Sequence, residues 1–305
     1  MKKAGKACIS IIVPTCRRPA DLERCLERLV PQLPADGSCE LLVSDDGDVT
    51  RTRKALQEKF PAVSWLQGPK KGPAANRNCG ASASVGEWLL FVDDDVLPSA
   101  GFFRAYKEAR CSVDASVGAL EGATEREGEL PSLLWEAPHN PSGGMLISCN
   151  FMIRREVYEL VGRFDERFPV AAFEDTEFAA RLHAHGAKVE FVPSARVVHP
   201  LRRKPGARKL AGRWEGNALY AYYQGASAFR IAWNLPWHVF RIIQSRFRGQ
   251  PWSGENAKAG LLFAGELAWV VCLTPAWVRK LMRSPRSPFW SHHVDAHGPV
   301  AKYGF

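Results

Sequence analysis

Three consecutive carboxylates, Asp93-Asp94-Asp95, directly follow the apolar run Leu89-Leu90-Phe91-Val92. Adjacent carboxylates repel one another unless a cation or hydrogen bonds compensate. Alternate residues of an extended segment point the same way, so Asp93 and Asp95 can share a face. Hard oxygen ligands of this kind suit Mg²⁺ or Mn²⁺, ions that usually also hold substrate phosphates. An isolated acidic triplet is more often a solvated turn; a position straight after an apolar strand favours the metal reading. No cysteine pair has C-x-x-C spacing, which argues against a zinc or dithiol site. No serine–histidine–aspartate or cysteine–histidine grouping stands in a context that suggests covalent catalysis.

The elements that must position the triplet follow from periodicity. Ile9 to Val13, Leu41 to Ser44, Val63 to Leu66 and Trp88 to Val92 read as short apolar strands. From Pro19 to Val30, Leu22, Leu26 and Leu29 recur at helical spacing, and Pro73 opens a helix where a missing N–H costs nothing. This alternation predicts an α/β fold with a mostly parallel central sheet. In such sheets the ligand lies beyond the carboxyl ends of the strands. Three of those ends carry polar or acidic residues: Thr15-Cys16-Arg17-Arg18, Asp45-Asp46, and Asp93 to Asp95. Farther on, Glu121 to Gly144 reads as a loop and Met145 to Ile153 as a strand. Glu174 to His185 reads as a helix stopped by Gly186, and Lys188 to Val192 as a strand.

The chain has 305 residues, 46% of them hydrophobic and 24% charged, enough for one large or two modest globular domains. A net charge of +9 suits an anionic partner, whether nucleotide phosphate, nucleic acid or an acidic membrane, without choosing among them. The eight scattered cysteines suggest reduced, mostly buried thiols of a cytoplasmic protein. Residues Met1 to Lys6 lack the apolar stretch of a signal peptide. After His199 the character changes: Arg196 to Arg213 holds seven basic residues and no acidic one, and seven of the ten tryptophans fall between Trp214 and Trp290. The expected division is 1–205 as the catalytic domain and 206–305 as a helical, basic, tryptophan-rich region.

Four blocks, in order, resemble family 2 glycosyltransferases of the GT-A fold. Ile11-Ile12-Val13-Pro14-Thr15 with Arg17 resembles the opening "SIIVPTYNR" strand, with Cys16 where the family often has an aromatic residue. Leu42-Val43-Ser44-Asp45-Asp46-Gly47 resembles "VDDGS". Gly72 to Gly80, then Gly86-Glu87 and Phe91 to Asp95, resemble "GxxxARNxG…GExxxFLDxD". Gly162 to Glu166 and Phe173 to Glu177 resemble "GGFDE…EDxD". Any one block is weak; four in order over roughly residues 8 to 200 are specific.

The resemblance implies a nucleotide-sugar donor, a hydroxyl acceptor, a divalent metal (Mn or Mg) and single displacement with inversion. Pro14, Thr15 and Arg17 would line the nucleotide pocket. Asp45 would accept a hydrogen bond from the base, with Asp46 beside it, and Arg77 would face the nucleotide or its phosphates. Asp93 would hold ribose or metal, Asp94 would stand in the donor site, and Asp95 would be the main protein ligand to the metal. His199 matches a histidine that is a second metal ligand in many relatives, although a lone histidine is more often structural. Asp175 would be the general base that takes the acceptor's proton, with Glu174 holding or tuning it. A helix N-terminus also favours acidic residues, so both roles can coexist. Asn150 and Arg154, in a segment resembling "GNFxxxRR", are weaker candidates for acceptor or phosphate contact.

Arg230 to Arg248 interleaves arginines with large apolar residues, as an interfacial helix does. Ala259 to Val278 could join it, although Glu266 and Pro275 interrupt it as a transmembrane span. Peripheral contact with the inner face of the membrane, near a lipid-linked acceptor glycan, competes with packing of these helices on the rest of the chain or on a second subunit. Three rival readings stand beside the glycosyltransferase one. A nucleic-acid binder is suggested by the basic pI, but Asp93 to Asp95 and Glu174-Asp175 oppose a phosphate backbone there, so no nucleic acid is expected. A silent GT-A binding subunit is opposed by intact Asp93, Asp95 and Asp175. A nucleotidyltransferase would need a glycine-rich turn where Pro14-Thr15-Cys16-Arg17 stands.

Overall fold

The computed structural model describes residues 8–251, 253–285 and 289–290; expectations touching the remaining residues lie outside it. The first half alternates as expected: β1 (Ile9–Thr15), α1 (Pro19–Leu29), β2 (Cys39–Asp45), α2 (Val49–Leu56), β3 (Val63–Gln67), α3 (Pro73–Ala83) and β4 (Trp88–Val92). Next come β5 (Leu97–Pro98), α4 (Phe102–Ser112), β6 (Val117–Arg126), β7 (Trp135–Glu136), β8 (Asn150–Arg154), α5 (Arg155–Leu160), α6 (Glu174–Ala184) and β9 (Lys188–His199). The chain continues with β10 (Arg202–Arg203), α7 (Ala207–Gly212), α8 (Trp214–Tyr223), α9 (Ala228–Phe247) and α10 (Gly254–Arg283).

Eight strands form one sheet in the order β3-β2-β1-β4-β8-β6-β9-β5. β3, β2, β1 and β4 are parallel; β8 enters antiparallel between β4 and β6, and β6 and β9 are parallel again. The central strands are apolar on both faces because each face is covered. Ile9, Ile11 and Val13 join a cluster with Leu22, Cys25, Leu26 and Leu29 of α1. Ile12, one step out of phase, joins Ala74 and Ala81 of α3 on the other face. There Phe91, Phe151, Tyr158, Phe164 and Phe178 pack ring on ring, Phe164 and Phe178 with centroids 4.7 Å apart. Phe178 belongs to α6, so this cluster fixes the helix that begins with Glu174-Asp175.

Three segments differ from the sequence reading. Residues 121–126 are strand, not loop, because β6 is bonded to both β8 and β9 despite its small and charged residues. Met145 to Cys149 is a connection and not the start of β8; Gly143, Gly144 and Leu146 all take positive φ there, which no strand allows. β9 is twelve residues long and ends on His199.

The chain forms two compact units. The first comprises residues through 127, 138–169 and 174–200; the second comprises 128–137, 170–173 and residues from 201 onward. In the second unit α10 packs with α7, α8 and α9 around Leu134, Leu210, Ala259 and Phe263. α10 is continuous through Glu266 and Pro275, and is long and apolar enough to cross a membrane. Its Glu266 is buried and paired: it accepts from Trp214 Nε1 at 2.8 Å and from Arg246 Nη1 at 3.1 Å.

Candidate active site

The carboxyl ends of β1, β2 and β4 lie side by side, with Thr15 in register with Asp45. Asn76, in the first turn of α3, ties two of them together. Its Nδ2 donates to Thr15 O and Ser44 O at 3.1 and 2.9 Å, and its Oδ1 accepts from Ser44 Oγ. Asp45 is buried and turns inward: Oδ1 accepts from Gly47 N at 2.7 Å and Oδ2 from Thr52 Oγ1 at 2.6 Å. Asp46, partly exposed, accepts from the backbone of Lys70 at 2.8 Å and Gly72 at 3.0 Å. Gly72 has φ +100°, and a Cβ there would stand 2.8 Å from Pro169 O, so the loop requires glycine. The two aspartates thus shape the loops beside the strand ends.

Asp93, Asp94 and Asp95 take three different environments. Asp93 accepts from Arg77 Nη2 at 2.8 Å. Asp94 is fully buried and accepts from Thr15 Oγ1 at 2.6 Å. Burial pushes its carboxyl up to about 8, against the opposing pull of Arg18. Asp95 Oδ2 accepts from Arg18 Nη1 at 2.6 Å, and Arg18 Nη2 lies 2.7 Å from Asp94 Oδ1 without hydrogen-bond alignment. Asp95 Oδ1 is 3.3 Å from His199 Nε2. His199 Nδ1 is 2.9 Å from Pro200 O, a carbonyl that can only accept, so Nδ1 carries a hydrogen and Nε2 is the atom presented to Asp95. Among the described residues no three or more histidine, cysteine or acidic side chains gather as a complete metal cage.

Arg77 spans the gap to the second acidic pair. It is buried over the Phe164 ring, and its Nη1 donates to Glu174 Oε1 at 3.2 Å. Glu174 Oε2 and Arg77 Nε are both buried without a hydrogen-bond partner. Burial, with Asp175 adding to it, lifts the Glu174 carboxyl to about 7, while Arg77 pulls it down. Asp175 remains partly exposed and accepts from Thr176 N at 2.8 Å. Loss of surrounding water raises its carboxyl as well, against Arg77 and the Thr176 and Ser148 N–H groups. Phe173, just before the pair, holds φ +70°, a strained setting for a bulky residue and one that recurs where side chains must be aimed. Arg17, after β1, has φ +57°.

Two expected residues are not brought to this edge for contact. β8 runs antiparallel to β4, pairing Asn150 with Val92 but Arg154 with Trp88. Arg154 is therefore roughly 13 Å farther back along the sheet, where it stacks on Trp88 and donates to Val117 O. Asn150 is near the edge but buried and spent: Nδ2 donates to Ala123 O and Ala195 O, and Oδ1 accepts from Tyr106. Three residues were missed. Arg18 follows β1, and only the parallel pairing of β1 with β4 brings it beside Asp94 and Asp95. Asn76 lies inside the Gly72 to Gly80 block, where nothing in the sequence marks it for a contact between strand ends. Glu121, buried in β6, accepts from Asn140 and from the N–H groups of Gly144, Met145 and Leu146, which pins the loop.

The family model for glycosyl transferase family 2 matches residues 10–162, and that for glycosyl transferase family group 2 matches residues 134–283. The chain belongs to glycosyltransferase family 2. Among curated proteins it is similar to the succinoglycan biosynthesis protein ExoM of Rhizobium meliloti, 27% identical over 74% of this chain and 79% of that one. It is also 27% identical to the O-antigen biosynthesis protein RfbC of Myxococcus xanthus, over 72% of this chain but only 20% of the relative. A solved mannosyltransferase of Pyrobaculum calidifontis, in complex with GDP-Man and Mn²⁺, superposes with TM-score 0.51 at 15% identity, covering 94% of this chain and 78% of that one. That likeness shows the fold, GT-A. Within that family the strand-end carboxylates are this chain's candidate centre.

Proposed function

We propose that the protein is an inverting, metal-dependent hexosyltransferase that moves a sugar from a nucleotide diphosphate to a hydroxyl of a surface or lipid-linked glycan. One observation carries the reading: Arg77 joins Asp93 to Glu174, so the donor-side and acceptor-side carboxylates meet at one buried guanidinium. Asp175 is the general base. It keeps access to solvent, and its carboxyl is raised by loss of surrounding water, the direction that makes a carboxylate a stronger base. It takes the acceptor O–H proton as that oxygen bonds to the anomeric carbon; the bond to the diphosphate breaks, and the nucleotide leaves with the electron pair. Glu174, buried between Arg77 and Asp175, positions and tunes that base. Pro14, Thr15, Arg17 and the Asp45-Asp46 turn frame the nucleotide.

When bound, a divalent cation neutralises the charge that grows on the departing diphosphate. Asp95 and His199 would hold it, with Asp93 beside them. The fit rests on the imidazole: its Nδ1–H is committed to Pro200 O, which leaves Nε2 and a carboxylate oxygen 3.3 Å apart, an arrangement that a proton or a cation stabilises. Two protein ligands suit Mg²⁺ or Mn²⁺, which commonly complete their shell with phosphate and water.

The names of the relatives, in O-antigen and succinoglycan biosynthesis, support a glycan acceptor. α9 supports peripheral docking on the inner face of the membrane. Phe229, Trp233 and Trp237 repeat every four residues and are 78%, 77% and 61% exposed, and the helix has no acidic residue. The test is nucleotide release with UDP-, GDP- and dTDP-sugars in Mn²⁺, with and without EDTA. One donor class should turn over and EDTA should stop it; release from none would remove the enzymatic reading.

A further inference from the structure

We infer that Arg18 is the resident counter-charge of the acidic edge, and that it gates the metal: it holds Asp95 while the donor is absent and yields it when a nucleoside diphosphate arrives. The inference rests on the proposed metal role of Asp95. Arg18 forks across Asp94 and Asp95, with nitrogens 2.7 and 2.6 Å from their oxygens. It is bonded to the same carboxylate whose other oxygen faces His199. A guanidinium and a divalent cation on one carboxylate repel each other, so the cation settles more favourably once Arg18 has left Asp95.

The residue is built to move. Its side chain is 41% exposed, whereas Arg77, the other guanidinium in the triplet, is 3% exposed and committed to Asp93 and Glu174. Arg18 is also the residue that caps α1, and its backbone carbonyl accepts from Leu22 N at 3.0 Å. The main chain therefore stays fixed while the side-chain torsions swing. A diphosphate gives the released guanidinium a bidentate anionic partner in place of Asp95. Metal and donor should then bind with positive coupling, each favouring the other by the same factor.

The experiment is calorimetric titration of Mn²⁺ alone into wild type, Arg18→Gln, Arg18→Lys, Asp95→Ala and Arg18→Gln/Asp95→Ala, followed by UDP and GDP with and without Mn²⁺. Arg18→Gln should bind Mn²⁺ alone more tightly than wild type, by up to ~5-fold, the scale of one partly exposed ion pair removed from competition. The gain should vanish in the Asp95→Ala background. Arg18→Lys, which keeps the charge but cannot fork, should fall between, and it decides the matter if Arg18→Gln does not fold. Nucleotide binding should gain less from Mn²⁺ in Arg18→Gln than in wild type. If wild type binds UDP or GDP in a Mn²⁺-dependent way but neither variant tightens Mn²⁺ alone, the gate is wrong and the metal reading stands. If no protein binds Mn²⁺ with or without nucleotide, both fall.

Discussion

Arg77 Nη1 donates to Glu174 Oε1 across 3.2 Å, and both side chains are 3% exposed. The same guanidinium holds Asp93 through Nη2. Removing one partner of a buried ion pair strands the other, at a cost of ~3–5 kcal/mol. Arg77→Ala is therefore expected to lower the unfolding free energy by about that amount, read from urea denaturation. Arg77→Lys restores one contact but not the bridge, and should recover stability more than turnover. Wild-type stability in Arg77→Ala would show that the bridge is decorative.

The acid–base prediction concerns pH. Glu174 is lifted to about 7, first by burial and then by Asp175, and Asp175 is raised in the same sense. The base works ionised, so the rising limb of kcat/KM should lie above the ordinary carboxylate range, with a plateau on its alkaline side. Stability should run the other way. The folded state keeps protons that an unfolded carboxylate releases near pH ~4, so this contribution is present at low pH and lost as pH rises through 7. Asp94, lifted to about 8, acts in the same direction. The urea midpoint of wild type should fall between mildly acidic and alkaline pH, and Glu174→Gln should flatten the slope. An activity limb confined to the ordinary carboxylate range would contradict the raised values.

The membrane prediction uses vesicles of anionic phospholipid. Arg241 and Arg248 of the α9 segment are exposed, whereas Arg246 is paired with the buried Glu266 and is the wrong residue to change. Arg241→Glu/Arg248→Glu should release the protein from vesicles at low salt, since each cation near such a surface contributes about 1 kcal/mol. Trp233→Ser/Trp237→Ser should do so at any salt. Turnover on a soluble acceptor analogue should survive both changes. Wild-type protein that stays in the supernatant at low salt would end the membrane reading.

The donor half of the fold was legible because its strands are short and largely apolar, and three of them end in polar or charged residues. Trp88 to Val92 with Asp93 to Asp95 needed only a period and a sign change. The acceptor half was less so. β6 mixes Gly118, Gly122, Glu121 and Thr124 with apolar residues, and its strand character comes from two neighbours far away in sequence. Asn150 and Arg154 were chosen from a motif-like run, but which end of the sheet each occupies depends on the antiparallel insertion of β8, and that is a property of topology. Arg18 was hidden for a different reason: its partners, Asp94 and Asp95, lie more than 70 residues on, and only the parallel pairing of β1 with β4 makes them neighbours.

The most direct test of the account separates binding from chemistry at Asp175. Asp175→Asn keeps the shape of the side chain but cannot take a proton. Donor binding measured by calorimetry should be retained, while nucleotide release in the presence of acceptor should fall ~10²–10⁴-fold, the usual worth of general-base help. Unchanged turnover would contradict the assignment of the base. Loss of donor binding together with turnover would move Asp175 to the donor site and undo the division between the two acidic clusters.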